Sequence, residues 1–150
     1  MLRADFWHKL SLEELTPAEW EALCDGCGKC CLHKLEDEET GEVHQTRIAC
    51  RELDIKKGGC LHYQDRFKRV PGCTQLTPAI AREASWLPPS CAYRLRAEGK
   101  PLPSWHPLVA GHDKLARQAR ARVRQLAISE RVVEEHDWEL FLVDISELDP

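Results

Sequence analysis

Apolar positions in this chain fall in short bursts, the longest being Leu140 to Val143, and polar starters or breakers separate them. Ser11-Leu-Glu-Glu14 has capping-box spacing, and Thr16-Pro17-Ala18-Glu19 repeats it with proline at the first helical position, where its missing N–H costs nothing. The spacing predicts a helix over 17–23, with Trp20 and Leu23 on one face and Cys24 at its end. Residues 31–36 and 43–50 flank the polar stretch Asp37-Glu-Glu-Thr-Gly41 and predict a hairpin. Gly58-Gly59 breaks the chain before Cys60. Residues 61–70 then predict a short helix that Pro71-Gly72 stops.

Further on, Thr77-Pro78 opens a helix to about Ser85, and Pro88-Pro89-Ser90 caps another over 91–98, stopped by Gly99. Residues 100–111 hold three prolines without periodicity and read as an ordered surface connection. Beyond it the pattern predicts a helix over 113–120, a strand over 123–128 and a last helix over 137–143. The fold class expected is α+β and α-rich, a small single domain of short helices and a β-hairpin around a cysteine-ligated metal centre. Its metal-organised part runs over about 20–98 and a helical and strand extension over 99–150.

Composition narrows the class. The chain has 150 residues and 17.2 kDa, the size of one domain with one core. With 43% hydrophobic and 31% charged residues it is a globular composition, not a disordered or membrane-spanning one. Eight cysteines accompany one methionine, three phenylalanines and two tyrosines, so the apolar inventory is thin and something else must help hold the fold. The first eight residues carry Arg3 and Asp5 and no apolar run, so no secretory signal is read there. The expected location is the cytoplasm, where thiols stay reduced and dense cysteines point to metal or catalysis rather than disulfides.

A net charge of −4 and a pI near 6.0 argue against a generic nucleic-acid binder. Lys114, Arg117, Arg120, Arg122 and Arg124 nonetheless form a basic run, while residues 130–150 carry eight acids against Arg131 alone. A solvated face is the ordinary reading of this run, with an RNA or phosphate site as its alternative.

The decisive string is Cys24-Asp-Gly-Cys27-Gly-Lys-Cys30-Cys31, followed by Cys50, Cys60, Cys73 and Cys91. A C-x-x-C turn converges two thiolates on one ion, and Gly28 lets the backbone fold around it with positive φ. Cys24, Cys27 and Cys30 also match the first three ligands of a bacterial iron–sulfur run, whose fourth sulfur comes from elsewhere. Eight cysteines divide into two four-sulfur sets, or into one set plus other roles, and counting does not choose the metal. Read as extended, Cys30 and Cys31 point to opposite sides, so one is expected to join Cys24 and Cys27 while the other reaches the later cysteines or packs as a small apolar residue. A thioredoxin-like dithiol at Cys27 and Cys30 lacks its βαβ setting.

The cysteine string, Cys50, Cys60-Leu-His-Tyr63-Gln-Asp-Arg66, Pro71-Gly-Cys73 and Cys91 resemble the YkgJ-type cysteine-cluster family, whose CxxCxxCC domain is named for chelation of zinc or iron. Closer still, Trp20-Glu-Ala-Leu-Cys24, Cys31-Leu-His-Lys-Leu35, Trp86-Leu-Pro, Cys91-Ala-Tyr-Arg94 and Trp105-His-Pro-Leu108 resemble its YcgN-like subfamily of small bacterial proteins, over about residues 6–128. The resemblance implies a cytosolic bacterial protein with a metal centre and no established reaction. It gives all eight cysteines counterparts and, through distant members, tilts the metal from zinc towards an iron–sulfur cluster of the four-iron type. An additional cysteine in that subfamily can precede the counterpart of Cys60, where this chain has Gly58-Gly59, so a ninth thiol is dispensable.

His33 and His62 lie two residues after a cysteine and are either substitute ligands or hydrogen-bonding groups. His106 is expected to order a turn. Arg66 and Arg94, with Lys29 and Arg51 behind them, are candidates to offset thiolate charge, against an ordinary ion-pair role. Trp20, Trp86 and Trp105 are expected to pack around the centre. No nucleophile elbow, phosphate loop, H-E-x-x-H or dinucleotide fingerprint occurs. The leading expectation is one or two metal centres in a structural or electron-transfer role. An iron–sulfur redox or modification enzyme, and a metal-stabilised module for RNA or an unknown protein partner, stand beside it; no membrane association is expected.

Overall fold

The computed structural model describes residues 2–56, 59–70 and 73–148. In chain order its helices are α1 (Phe6–Lys9), α2 (Pro17–Leu23), α3 (Arg66–Arg69), α4 (Pro78–Glu83), α5 (Ala92–Ala97), α6 (Pro107–Ala110), α7 (Lys114–Ala119) and α8 (Ala121–Leu126). The strands are β1 (Leu32–Glu36), β2 (Val43–Ala49) and β3 (Ile128–Ser129). The class is helix-rich α+β, as the sequence predicts. The chain divides into two compact units, Met1–Asp25 with Leu76–Ala119 and Gly26–Gln75 with Arg120–Pro150.

In the first unit, Thr16 caps α2. Its hydroxyl accepts from Glu19 N at 3.2 Å, and Glu19 Oε1 returns the bond to Thr16 N at 2.9 Å. Arg3 then holds the buried Glu19 side chain from outside, Nη2 to Oε1 at 2.7 Å. The capped helix lays Leu23 into a core with Leu12, Ala81, Ala92, Tyr93 and Leu102. Tyr93 donates to Trp20 O at 2.7 Å and their rings lie 4.6 Å apart, so α2 and α5 are joined by packing and by a hydrogen bond. Trp20 thus belongs to this unit's apolar core.

The second unit is built on a sheet of order β1-β2-β3, β1 antiparallel and β3 parallel to β2. Asp37 Oδ1 accepts from the amides of Glu39 and Thr40, and Gly41 at φ 73 closes the predicted hairpin. The register slips between Leu32 and Lys34, a bulge held by Thr46 Oγ1 donating to His33 O at 2.6 Å. Leu32, Ala49, Leu53, Val123 and Leu148 form the core.

Several predicted elements differ. Residues 123–128 are not a strand: α8 runs through Leu126, and only Ile128–Ser129 pairs with β2. Val123 and Leu126 both pack on the second core at helical spacing, which outweighs the β preference of a branched residue. The last helix is a 3₁₀ segment, Glu135–Phe141, after which Leu142 bridges to Thr46. The connection over 100–111 contains one helical turn, α6, whose cap is His106. The stop at Pro71-Gly72 and Gly58 of the Gly58-Gly59 break lie outside the described residues.

Candidate metal centre

Capping of α2 places Cys24 as its last cap residue, and Gly28 at φ 80 then turns the chain into a 3₁₀ turn, Lys29–Cys31. The amide of Lys29 points at Cys27 Sγ, 3.5 Å away, an N–H-to-sulfur contact that favours a thiolate. Cys30 and Cys31 do not alternate as an extended pair. Both lie in the 3₁₀ turn, which rotates successive side chains by about a third of a circle.

β1 and β2 carry the chain to Cys50, whose amide donates to Cys31 O at 2.7 Å. The turn beyond it is closed by Leu53 N donating to Cys50 O at 2.9 Å. Leu53 then pairs with Cys60, and Leu61 N donates to Glu52 O at 2.7 Å, closing a loop between the Cys50 and Cys60 segments. Cys50 lies within electrostatic reach of Cys60, and Cys73 within reach of both Cys60 and Cys30. Cys30, Cys31, Cys50, Cys60 and Cys73 thus all lie in the second unit, on the 3₁₀ turn, the end of the hairpin and the loop that follows it. None of the eight cysteines is in a disulfide.

Each of three of these thiols has its own cation. The positive charges of Lys34, Arg51 and Arg66 favour the thiolate forms of Cys30, Cys50 and Cys73 respectively. Arg66 is fixed for this by stacking on Tyr63 and Phe67, 3.9 and 4.4 Å from the ring centroids, and by donating to Tyr63 O at 2.7 Å. Hydrogen bonding to Cys31 pushes the Cys30 thiol well above its ordinary range, and burial pushes Cys50 and Cys73 up. Crowded sulfurs of this kind hold protons tightly until a cation replaces them.

Two glutamate–histidine pairs flank these cysteines. His33 Nε2 meets Glu130 Oε2 at 2.6 Å, and His62 Nδ1 meets Glu52 Oε2 at 2.6 Å. Glu130 also accepts from Arg51 N at 2.9 Å. Glu52, Glu130 and Lys34 were not legible as site residues. Glu130 is nearly a hundred positions from His33, whereas Lys34, four residues after Cys30, and Glu52, two after Cys50, had a positional signal. Arg94 donates to Leu87 O and pairs with Glu98 at 3.2 Å, the ion-pair role weighed against a thiolate role.

Cys24 and Cys91 belong to the first unit, Cys24 ending α2 and Cys91 beginning α5, where Cys91 packs against the core. The basic run is likewise shared out. Arg117 on α7 pairs with Asp113, whereas Arg122 and Arg124 in the second unit donate to the carbonyls of Glu147 and Lys56. The pocket beside Cys27, lined by Gly26, Gly28, Leu53 and Val123, has about 10 Å³ of internal space, no more than one water needs. Among the described residues no three Cys, His, Asp or Glu side chains already surround one point, and no helix is long and apolar enough to cross a membrane.

A family model described as "CxxCxxCC: Putative zinc- or iron-chelating domain" matches residues 23–92. A UPF0260 protein of Marinobacter nauticus is 52% identical over 138 residues, 92% of this chain and 93% of the relative. One from Rhizorhabdus wittichii is 55% identical over 139 residues, 93% and 94% of the two chains. The UPF0260 protein YcgN of Salmonella newport is 52% identical over 134 residues, 89% of this chain and 86% of that one. No solved structure matches.

Proposed function

This chain belongs to the UPF0260 family and matches the zinc- or iron-chelating CxxCxxCC description, and on that premise we propose that thiols of its second unit chelate a single centre, an iron–sulfur cluster in preference to zinc. The observation that carries the reading is the gathering of Cys30, Cys31, Cys50, Cys60 and Cys73 in one compact unit, where Cys50 N donates to Cys31 O at 2.7 Å and Leu53 pairs with Cys60. Cys27 lies in the same unit, on the C-x-x-C turn. Six thiols in the second unit exceed the four that either metal takes, and the first unit has only two.

The donor set fits a thiophilic group. These thiols are soft sulfur donors, Cys27 already receives a backbone N–H, and the charges of Lys34, Arg51 and Arg66 offset the negative charge of a thiolate centre. Within this unit Cys27 and Cys30 keep one C-x-x-C pair of the iron–sulfur type of run, and the preference for iron rests on the family resemblance. A bound cluster supplies one-electron exchange, and a bound zinc a crosslink between the hairpin and the Cys60–Cys73 segment. The protein's own residues do the rest: the 3₁₀ turn and the Glu52–Leu61 ladder gather the sulfurs, and the charge of Arg66 favours the Cys73 thiolate. With every position filled by protein, the role is structural or electron-transferring.

Anaerobic purification followed by metal analysis and an absorption spectrum tests this. The expected result is stoichiometric iron with a broad band near about 400 nm from sulfur-to-iron charge transfer. Stoichiometric zinc without that band overturns the iron assignment, and a chain purified without metal that also takes up neither iron nor zinc when they are added overturns the centre.

A further inference from the structure

Resting on that thiolate centre, the geometry points to His62 as a nitrogen ligand of the same centre, held by Glu52. Two Cys-Leu-His segments occur in the second unit, Cys31-Leu32-His33 and Cys60-Leu61-His62, and each imidazole meets a glutamate at 2.6 Å. They differ in the nitrogen used. Glu130 takes Nε2 of His33, whose ring lies 4.5 Å from Trp138, so the outer nitrogen of that imidazole is engaged by the protein. Glu52 takes Nδ1 of His62, which leaves the outer nitrogen, Nε2, with no partner among the described residues.

A carboxylate on one ring nitrogen fixes the tautomer, so that the other nitrogen offers its lone pair; this is how a metal-ligating histidine is ordinarily held. Glu52 is placed for that task. Its side chain is only 6% exposed, and its other oxygen lies 3.8 Å from Arg69 Nη1, so the carboxylate is held from both sides. The bridge between Leu53 and Cys60, with the bond from Leu61 N to Glu52 O, sets the two segments side by side. Glu52 then follows Cys50 by two residues and His62 follows Cys60 by two, so the paired glutamate and imidazole are each tied by a short backbone link to a cysteine. A buried carboxylate beside sulfurs that turn negative on binding metal is unfavourable by itself. Passed through His62, the same charge strengthens a ligand. Replacing one thiolate by imidazole also removes one negative charge from the centre, which in iron–sulfur proteins raises the reduction potential.

X-ray absorption at the metal edge of the purified full chain tests the assignment, with wild type compared with His62→Ala, His33→Ala and Glu52→Gln. The expected wild-type spectrum contains sulfur scatterers plus one imidazole, which His62→Ala loses and His33→Ala keeps. Glu52→Gln is expected to weaken affinity for added zinc by about 10–100-fold. An all-sulfur wild-type shell, or an imidazole that survives His62→Ala, overturns the inference while leaving the thiolate centre standing, and needs no variant that risks misfolding. Unchanged affinity in Glu52→Gln removes Glu52 from the account. A wild type that binds no metal overturns the centre itself.

Discussion

His106 Nε2 donates a 2.8 Å hydrogen bond to the carbonyl of Leu23, the last residue of α2 and the one before Cys24. Its other nitrogen, Nδ1, accepts from Leu108 N at 3.0 Å, so one fully buried imidazole both caps α6 and ties down the end of α2. His106→Ala leaves a buried carbonyl and a buried amide unpaired. The expected loss is about 1–3 kcal/mol of stability, read from a urea denaturation midpoint at unchanged slope. A midpoint equal to wild type would show that water replaces the ring without cost.

Glu19 links acid to stability in the first unit. The Arg3 guanidinium, with the Thr16 amide, holds its carboxyl well below the usual carboxylate range. A group whose folded value lies below its unfolded value of 4.5 stabilises the fold at higher pH, and that contribution is lost as pH falls below about 4.5 towards the folded value. Glu19→Gln is therefore expected to lower stability near neutral pH and to flatten the acid limb of stability against pH. Parallel curves for the two proteins would contradict the assignment.

Gly28 has φ 80, and a Cβ built there meets Leu53 and Val123 at no closer than 3.6 Å, which is ordinary contact. The cost of Gly28→Ala is therefore conformational and not steric, about 1–2 kcal/mol for a left-handed residue. Metal-free protein should show that loss in thermal unfolding. Metal affinity should fall with it, because the same turn sets Cys27 against Cys30.

The positive charge of Arg66 opposes the upward push of burial on the Cys73 thiol. In metal-free protein, Arg66→Gln removes the lowering contribution, so the pH midpoint for alkylation of Cys73 should move up. Mass-resolved iodoacetamide labelling across a pH series reads this site by site. A midpoint that stays still or falls would show that the guanidinium does not act on this sulfur.

Metal removal supplies a fourth kind of test. Chelation should lower the thermal midpoint of wild type but leave Cys60→Ser nearly unmoved, since that variant lacks a sulfur reached by both Cys50 and Cys73. Equal shifts in the two proteins would place the ion elsewhere.

Much of the local structure was legible because it rests on contacts within four residues. The Thr16 and Thr77 caps, the proline starts of α2 and α4, and the hairpin turn closed by Gly41 all follow from side chains that satisfy nearby amides or permit an unusual φ. Elements whose character depends on distant partners were misread. Val123 lies in a helix because Leu32, Ala49, Leu53 and Leu148 receive it, and residues 135–141 tighten to 3₁₀ before Leu142 joins Thr46.

For the site, the sequence by itself determined the donor chemistry: eight sulfurs, four of them within eight residues, and a turn at Gly28 that brings two together. Spacing carries that much because a C-x-x-C turn is a local object. Only the tertiary structure decided which sulfurs are neighbours, that Cys30 and Cys31 share one 3₁₀ turn, and that Lys34, Arg51 and Arg66 each stand by a different thiol. It also gave His33 and His62 their glutamates, one of them 97 residues away. Charge and hydrogen-bond partners act through space, and a separation along the chain says nothing of that distance until the backbone has closed.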